Sequence, residues 1–181
     1  MALKATICKA GLQIADMDRS YYAEHALTLA RHPSETDERM MVRLLAFALD
    51  ADEALEFGRG LSAEDEADLV KRDLTGAIDL WIDVGLPDER EVRKAAGRAR
   101  RVKVYTYGRG AALWWEQNQA ALARLANLTV IEVPEAVTGA LAALAARNMR
   151  LDCTIQEGQV WLSHEGETLH FELPARLAPA G

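Results

Sequence analysis

Apolar positions recur along the chain in more than one rhythm, and each change of rhythm marks a change of element. From Leu3 to Ala15 they alternate with polar ones. Thr6, Cys8, Ala10, Leu12 and Ile14 therefore share one face, while Lys9, Gly11 and Gln13 point the other way. Asp16-Met17-Asp18 is turn-like and Tyr21 to Ala30 follows, so the segment reads as two long paired strands with one buried face. After Pro33, the series Met40, Met41, Leu44, Leu45, Ala48 has helical spacing. It predicts an amphipathic helix over about 35–50, capped by Ser34 and with Glu35, Asp37 and Glu38 in its first turns. Leu55 to Phe57 reads as a short strand, and Ser62 to Leu69 as the start of a helix capped by Ser62.

Farther on, the apolar run from Ala77 to Gly85 is interrupted only by two acids and ends at Leu86-Pro87. Its length, β-branching and flanking glycines predict a central strand. A helix from Asp88 to about Ala99, a strand at Val102–Tyr107, a helix at Ala111–Leu125, a strand at Leu128–Val133 and a helix from Pro134 to about Arg147 complete an alternation that predicts right-handed parallel crossovers. Leu151–Gln156, Gln159–His164 and Thr168–Leu173 are short alternating runs separated by Glu157-Gly158 and Glu165-Gly166, which are hairpin signals. The expected architecture is α/β (α+β). A core of residues 33–148 carries a mixed sheet with flanking helices, and residues 1–32 and 149–181 form a small antiparallel β subdomain beside it. No internal repeat is visible.

Composition narrows the function classes. In 181 residues, half are hydrophobic and 27% charged, which excludes disorder and low complexity. A net charge of −7 excludes a wholesale basic coat for nucleic acid, though not a local patch. Cys8 and Cys153 stand far apart with no CxxC or metal spacing, so free thiols are expected, neither a disulfide framework nor a zinc site. Met1 to Cys8 lacks a signal-peptide core and no run approaches a membrane span, which makes a cytoplasmic location the expectation.

Charge is unevenly spread. Between residues 50 and 68, eight acids face the single base Arg59; between 90 and 109, Arg90, Arg93, Lys94, Arg98, Arg100, Arg101, Lys103 and Arg109 face only Glu91. The basic stretch either holds a polyanion or pairs internally with the acidic one. Asp79 and Asp83 lie inside a run that otherwise reads as buried, where an ionised acid is costly unless paired, metal-bound or at an exposed end. They share a face, yet lie roughly 13 Å apart in a straight strand, so one ion cannot take both without a bend. An oxygen-only site would favour Mg²⁺ or Mn²⁺ and needs an acid from elsewhere. The other account has Asp79 capped or paired at the strand start and Asp83 salt-bridged to a helix. Glu35 and Glu38, one turn apart, either reach a neighbouring strand or complement the helix dipole and pair with Arg39 or Arg43. Trp114-Trp115 with Asn118 and Gln119 either stack on bases or form core and rim. His25, His32, His164 and His170 lack metal-binding spacing, and no phosphate loop or GxSxG elbow occurs.

Long segments carry a further signal. LKATICKA, LTLARHPSETDERMMVRLLAFAL, GAIDLWIDVGLPDEREVRKA, VYTYG, WWEQNQ and IQEGQVWLS resemble the bacterial YaeQ family almost end to end. The resemblance implies a variant of the PD-(D/E)xK restriction-endonuclease-like fold with a β subdomain made from both termini. In that superfamily a helix glutamate, a strand-start aspartate and a (D/E)xK strand bind Mg²⁺ and activate water for phosphodiester cleavage. Carried onto this sequence, Glu38 (or Glu35) is the helix acid, Asp79 the first aspartate, and Asp83-Val84-Gly85 the (D/E)xK element, with Gly85 in the lysine's place. Lys94 or Lys103 would then supply the ammonium, and Arg90, Arg93, Arg98 and Arg109 would position the backbone. Whether the chain is an enzyme stays open between two accounts. One is a Mg²⁺-dependent phosphodiesterase acting on nucleic acid, with metal on Glu38, Asp79 and Asp83 and Mn²⁺ as substitute. The other is a catalytically inactive nuclease-fold protein that binds nucleic acid or a protein partner, with a transcription-related role. A purely structural role, in which acids and bases neutralise one another, is a third account. No membrane partner is expected, and these residues specify neither a protein partner nor an oligomeric state.

Overall fold

A computed structural model describes residues 4–59 and 65–179. In chain order the elements are β1 (Thr6–Asp16), β2 (Tyr21–Arg31), α1 (Asp37–Leu49), β3 (Leu55–Phe57), β4 (Leu69–Arg72), β5 (Ile78–Val84), α2 (Glu89–Arg98), β6 (Ala99–Thr106), α3 (Ala111–Leu122), β7 (Leu128–Glu132), α4 (Glu135–Ala143), β8 (Asn148–Gln156), β9 (Gln159–His164), β10 (Glu167–Glu172) and β11 (Ala175–Leu177). The fold is mixed α+β with two sheets, in the orders β10-β9-β8-β1-β2 and β11-β7-β6-β5-β4-β3. Two compact units result: Met1–Leu49 with Ala136–Leu173, and Asp50–Glu135 with Pro174–Gly181. Helix α1 and most of α4, assigned from the sequence to the α/β core, are thus counted in the first unit.

In the first unit, β1 and β2 pair antiparallel from Thr6↔Arg31 to Asp16↔Tyr21. The period-two reading holds, with Cys8, Ala10, Leu12 and Ile14 buried and Lys9 and Gln13 exposed. Asp16, itself buried, closes the turn by accepting from the backbone N and Nε of Arg19. The hairpins β8–β9 and β9–β10 turn at Glu157-Gly158 and Glu165-Gly166, all four in the left-handed region that two-residue turns require. The sheet is not purely antiparallel as expected, because β1 and β8 run parallel from Lys9↔Asn148 to Asp16↔Ile155. A parallel pair needs a long crossover, which here is the whole intervening chain. Leu3 and Ser62–Glu64 lie outside the described residues.

Helix α1 is buried on nearly every side from Met40 to Ala48. Its cap differs from the expectation. The Thr36 hydroxyl accepts from the backbone N of Arg39 at 3.1 Å, whereas the Ser34 hydroxyl meets His32 Nδ1 at 2.6 Å. A position one residue before the helix can reach its first free N–H groups; one three residues before cannot.

In the second unit, β5, β6 and β7 are parallel and connected through α2 and α3, as the alternation predicted. The first of these connections is tight, since Ala99 both caps α2 and opens β6. Strands β3, β4 and β5 form an antiparallel meander. The expected helix near Leu69 is absent: Asp65–Asp68 are non-helical and Leu69–Arg72 is β4. There Leu69 and Val70 pair with Ile82 and Trp81, and ladder bonds to a buried strand outweigh the local acid-rich pattern. Gly58 makes the close approach to β4 workable, because a Cβ on it would lie 2.0 Å from the Ala67 carbonyl oxygen. Trp81, Val102 and Val104 of the sheet pack with Val92 and Ala95 of α2 and Trp114 of α3 in one core cluster. The last strand, β11, joins this sheet against β7 and not the sheet of the other termini. Among the described residues, no helix is long and apolar enough to cross a membrane.

Candidate functional site

Strand β5 ends where Val84 meets Gly85, and the chemistry of the second unit gathers near that end. Gly85 has φ +112° while its N–H donates to the Tyr105 carbonyl, so the position needs glycine's conformational range. A lysine there would have to hold a backbone conformation that L-residues rarely adopt. One position beyond the paired Leu69 and Ile82, Asp68, just before β4, stands opposite Asp83 of β5. Asp68 is only 8% exposed, and its Oδ2 accepts from the Val84 N–H at 2.8 Å.

Strand β6 supplies a second group. Lys103 and Tyr105 share its other face by period two, and both reach Asp50. The Lys103 ammonium bonds Oδ1, and the Tyr105 hydroxyl donates to Oδ2 at 2.6 Å. Asp50 is 8% exposed and Tyr105 fully buried, so this is a charge-assisted network inside the fold.

The acid assigned as the first aspartate is surrounded by cations. Asp79 lies 3.0 Å from Arg101 Nη2, 3.7 Å from Arg100 Nη1 and 3.7 Å from Lys71 Nζ. Lys94 pairs with Asp65 at 2.9 Å. In the first unit, Glu35 is 3% exposed and accepts from Arg43 Nε and Nη2 at 3.0 and 2.6 Å and from Arg39 Nη1 at 2.6 Å. This is the paired account of that acid. Glu38, in the first turn of α1, is half-buried. Among the described residues, no three His, Cys, Asp or Glu side chains gather where they could hold one metal ion.

The basic stretch divides. Lys94, Arg100, Arg101 and Lys103 are tied to Asp65, Asp73, Asp79 and Asp50. Arg93 pairs with its helix neighbour Glu89. Arg90, Arg98 and Arg109 are exposed, and none makes a salt bridge among the described residues. Trp114 donates Nε1 to the Pro87 carbonyl at 2.8 Å, and Asn118 bonds the Trp114 carbonyl, so that pair of residues belongs to the packing of α3.

A family model described as YaeQ protein matches residues 1–173. The chain belongs to the YaeQ family. Its relatives include "Uncharacterized protein YaeQ" of Salmonella typhi, 49% identical over 99% of this chain and 100% of the relative, and the protein of the same name in Escherichia coli (strain K12), 48% identical with the same coverage. Among solved structures, YaeQ of Xanthomonas axonopodis pv. citri superimposes with a TM-score of 0.93 at 55% identity, covering 97% of this chain and 99% of that one. YaeQ of Pseudomonas syringae gives 0.92 at 36% identity and 98% of each chain.

Within this YaeQ chain, Asp50, Asp68 and Tyr105 were missed as site residues by sequence reasoning. Asp50 and Asp68 were submerged in a run of eight acids. A usable signal existed: Asp50 is the first ionisable residue after the apolar series of α1, and Lys103 and Tyr105 sit two apart on one strand.

Proposed function

We propose that the chain is a nucleic-acid-binding protein on a restriction-endonuclease-like frame, with the exposed arginines of α2 and of the loop before α3 holding the phosphate backbone. The order of α1, an antiparallel meander, α2 and a parallel strand supports this frame, since it carries a helix acid and then strand acids in the order that superfamily uses. The observation that carries the binding reading is the splitting of the basic stretch. In a chain of net charge −7, five of the eight bases between residues 90 and 109 pair with acids, while Arg90, Arg98 and Arg109 are exposed and make no salt bridge among the described residues. Exposed guanidinium groups favour phosphate by charge and by their forked donors.

Hydrolysis is the second reading, and what favours it is the adjacency of Asp68 and Asp83 at the end of β5. Two carboxylates suffice for Mg²⁺ or Mn²⁺ when substrate phosphate and water complete the shell; bound there, the ion would activate water. Against it stands the hold of three cations on Asp79.

One experiment separates the two. A labelled DNA duplex and its RNA counterpart are titrated with the protein at several salt concentrations, with and without Mg²⁺ or Mn²⁺, for the wild type and Asp83→Asn. The expected result is salt-sensitive binding that survives Asp83→Asn, with substrate intact in every lane. Metal-dependent cleavage abolished by Asp83→Asn would establish hydrolysis instead, and absence of binding at low salt would remove both readings.

A further inference from the structure

Strand β2 is an edge of the five-stranded sheet, with no further strand beyond it among the described residues. It is long for an edge, eleven residues, and pairs with β1 from end to end without a register shift. Sheets ordinarily blunt their edges with short strands, proline, lysine, other charges or bulges, because an open row of N–H and C=O groups is a template for another strand. The opposite edge, β10, is blunted in that way: it has six residues, with Glu167 and Glu172 at its ends. Between Tyr21 and Arg31 there is no proline, lysine or bulge. The Ala30 carbonyl accepts from Arg43 Nη2 at 3.2 Å, which holds the end of the strand to α1.

The two faces of this edge differ. On the outward face Tyr22 is 64% exposed, and Ile7 of β1, whose partner on β2 is Ala30, is 51% exposed, so two large hydrophobic side chains stand in water beside the open edge. On the other face Leu27 and Leu29 are buried, and His25 meets the Phe47 ring of α1 edge-on at 5.1 Å.

We propose that β2 pairs antiparallel with β2 of a second copy of this chain, about a two-fold axis at Ala26 that joins the two five-stranded sheets into one. That register keeps the buried faces on the same side and pairs all eleven residues, and in it the strand is self-complementary. Ala26 faces Ala26 of the copy with Gly11 behind each, so the axis is small and uncharged. Tyr22 comes beside Ala30 of the copy, with that copy's Ile7 on the next strand, which gathers the exposed hydrophobic side chains into rows. Glu24 comes beside Thr28 of the copy, with Lys9 on the next strand, roughly 10 Å away between Cα atoms and within reach of the two long side chains. On the covered face Leu29 meets Ala23 and Leu27 meets the His25 ring. No row sets two like charges opposite each other. Arg90, Arg98 and Arg109 lie outside this strand, so the inference stands or falls apart from the nucleic-acid reading.

The test is sedimentation equilibrium of the full chain up to millimolar concentration, with variants at exposed positions. The wild type should reach the mass of two chains. Ala26→Lys sets two ammonium groups opposite each other at the axis and should raise the dissociation constant about fivefold. Glu24→Lys should weaken the dimer, and adding Lys9→Glu should restore it; within one chain these two positions are four residues out of register, so the exchange leaves the fold's own pairs alone. The register itself is read by crosslinking. Cys8 and Cys153 are buried, so in Ala26→Cys the new thiol is the exposed one. Under oxidised glutathione two Ala26→Cys chains should join, because their Cα atoms lie about 5 Å apart, whereas Thr28→Cys should not, its two copies being roughly 14 Å apart. A single-chain mass at every concentration would overturn the proposal and leave this edge to a strand of another protein. A dimer indifferent to both Ala26→Lys and the charge exchange, or one that crosslinks as fast through Thr28→Cys as through Ala26→Cys, would overturn it as well.

Discussion

At the scale of single residues, the position where the resemblance expects a lysine is governed by backbone, not by chemistry. Gly85 sits at φ +112° with open space around its Cβ position, so a side chain would meet no neighbour yet would force a conformation that L-residues rarely adopt. Gly85→Lys should therefore lower stability by about 1–3 kcal/mol and create no metal-dependent cleavage; urea denaturation and the duplex assay check both halves. A gain of cleavage in that variant would mean that the site lacked only its ammonium. Cys153 makes a pH-dependent case. Burial, with a smaller push from Asp16, raises its thiol from 9.0 to about 12, so the folded protein holds this proton more tightly than the unfolded chain does. Its contribution is complete below pH 9 and is lost as pH climbs from there toward 12. The stability gap between the wild type and Cys153→Ala should accordingly shrink between pH 8.5 and 11 in denaturant titrations, and a constant gap would show that the thiol titrates normally.

At the scale of elements, the strands and helices with strong periodicity were legible, whereas their partners were not. Alternation placed the buried face of β1 and the glycine-turn hairpins of β8–β10 correctly, because period and turn chemistry are local properties. The parallel pairing of β1 with β8 and of β11 outside that sheet are contacts between distant segments, and no local pattern encodes them. The helix expected near Leu69 failed for the same reason, since pairing with β5 decides that segment. For the site, Lys103 was reached only through the resemblance, as one of two lysines able to supply an ammonium, and its partner Asp50 lies 53 residues away. Start-of-helix acids present the mirror case. Glu35 was open between two accounts, and the geometry shows a buried carboxylate receiving two arginines, Arg43 itself only 1% exposed. Breaking such a pair strands a buried charge, which costs about 3–5 kcal/mol. Glu35→Gln should thus shift the urea midpoint by that equivalent at unchanged slope; a change below about 1 kcal/mol would show that Arg43 finds other acceptors, of which the Ala30 carbonyl at 3.2 Å is one.

At the scale of the whole molecule, a chain of net charge −7 repels a polyanion at long range, so any binding of nucleic acid has to be local and short-ranged. The distribution of ion pairs allows that. The acids between 50 and 79 quench Lys94, Arg100, Arg101 and Lys103, which removes them from competition for phosphate and leaves Arg90, Arg98 and Arg109 exposed. If each of those three neutralises one phosphate, the logarithm of the duplex binding constant should fall against the logarithm of salt with a slope near −3, given about 0.9 counterions released per contact. Arg90→Gln and Arg109→Gln should each flatten that slope by about one, whereas Arg101→Gln, which unlocks Asp79 and adds exposed negative charge without removing a free cation, should weaken binding with little change in slope. A slope near −7 would mean instead that the acids release all eight bases of the stretch on contact with nucleic acid, and the internal pairs would then be a switch between two sets of partners. A flat dependence would assign the three arginines to solvation alone.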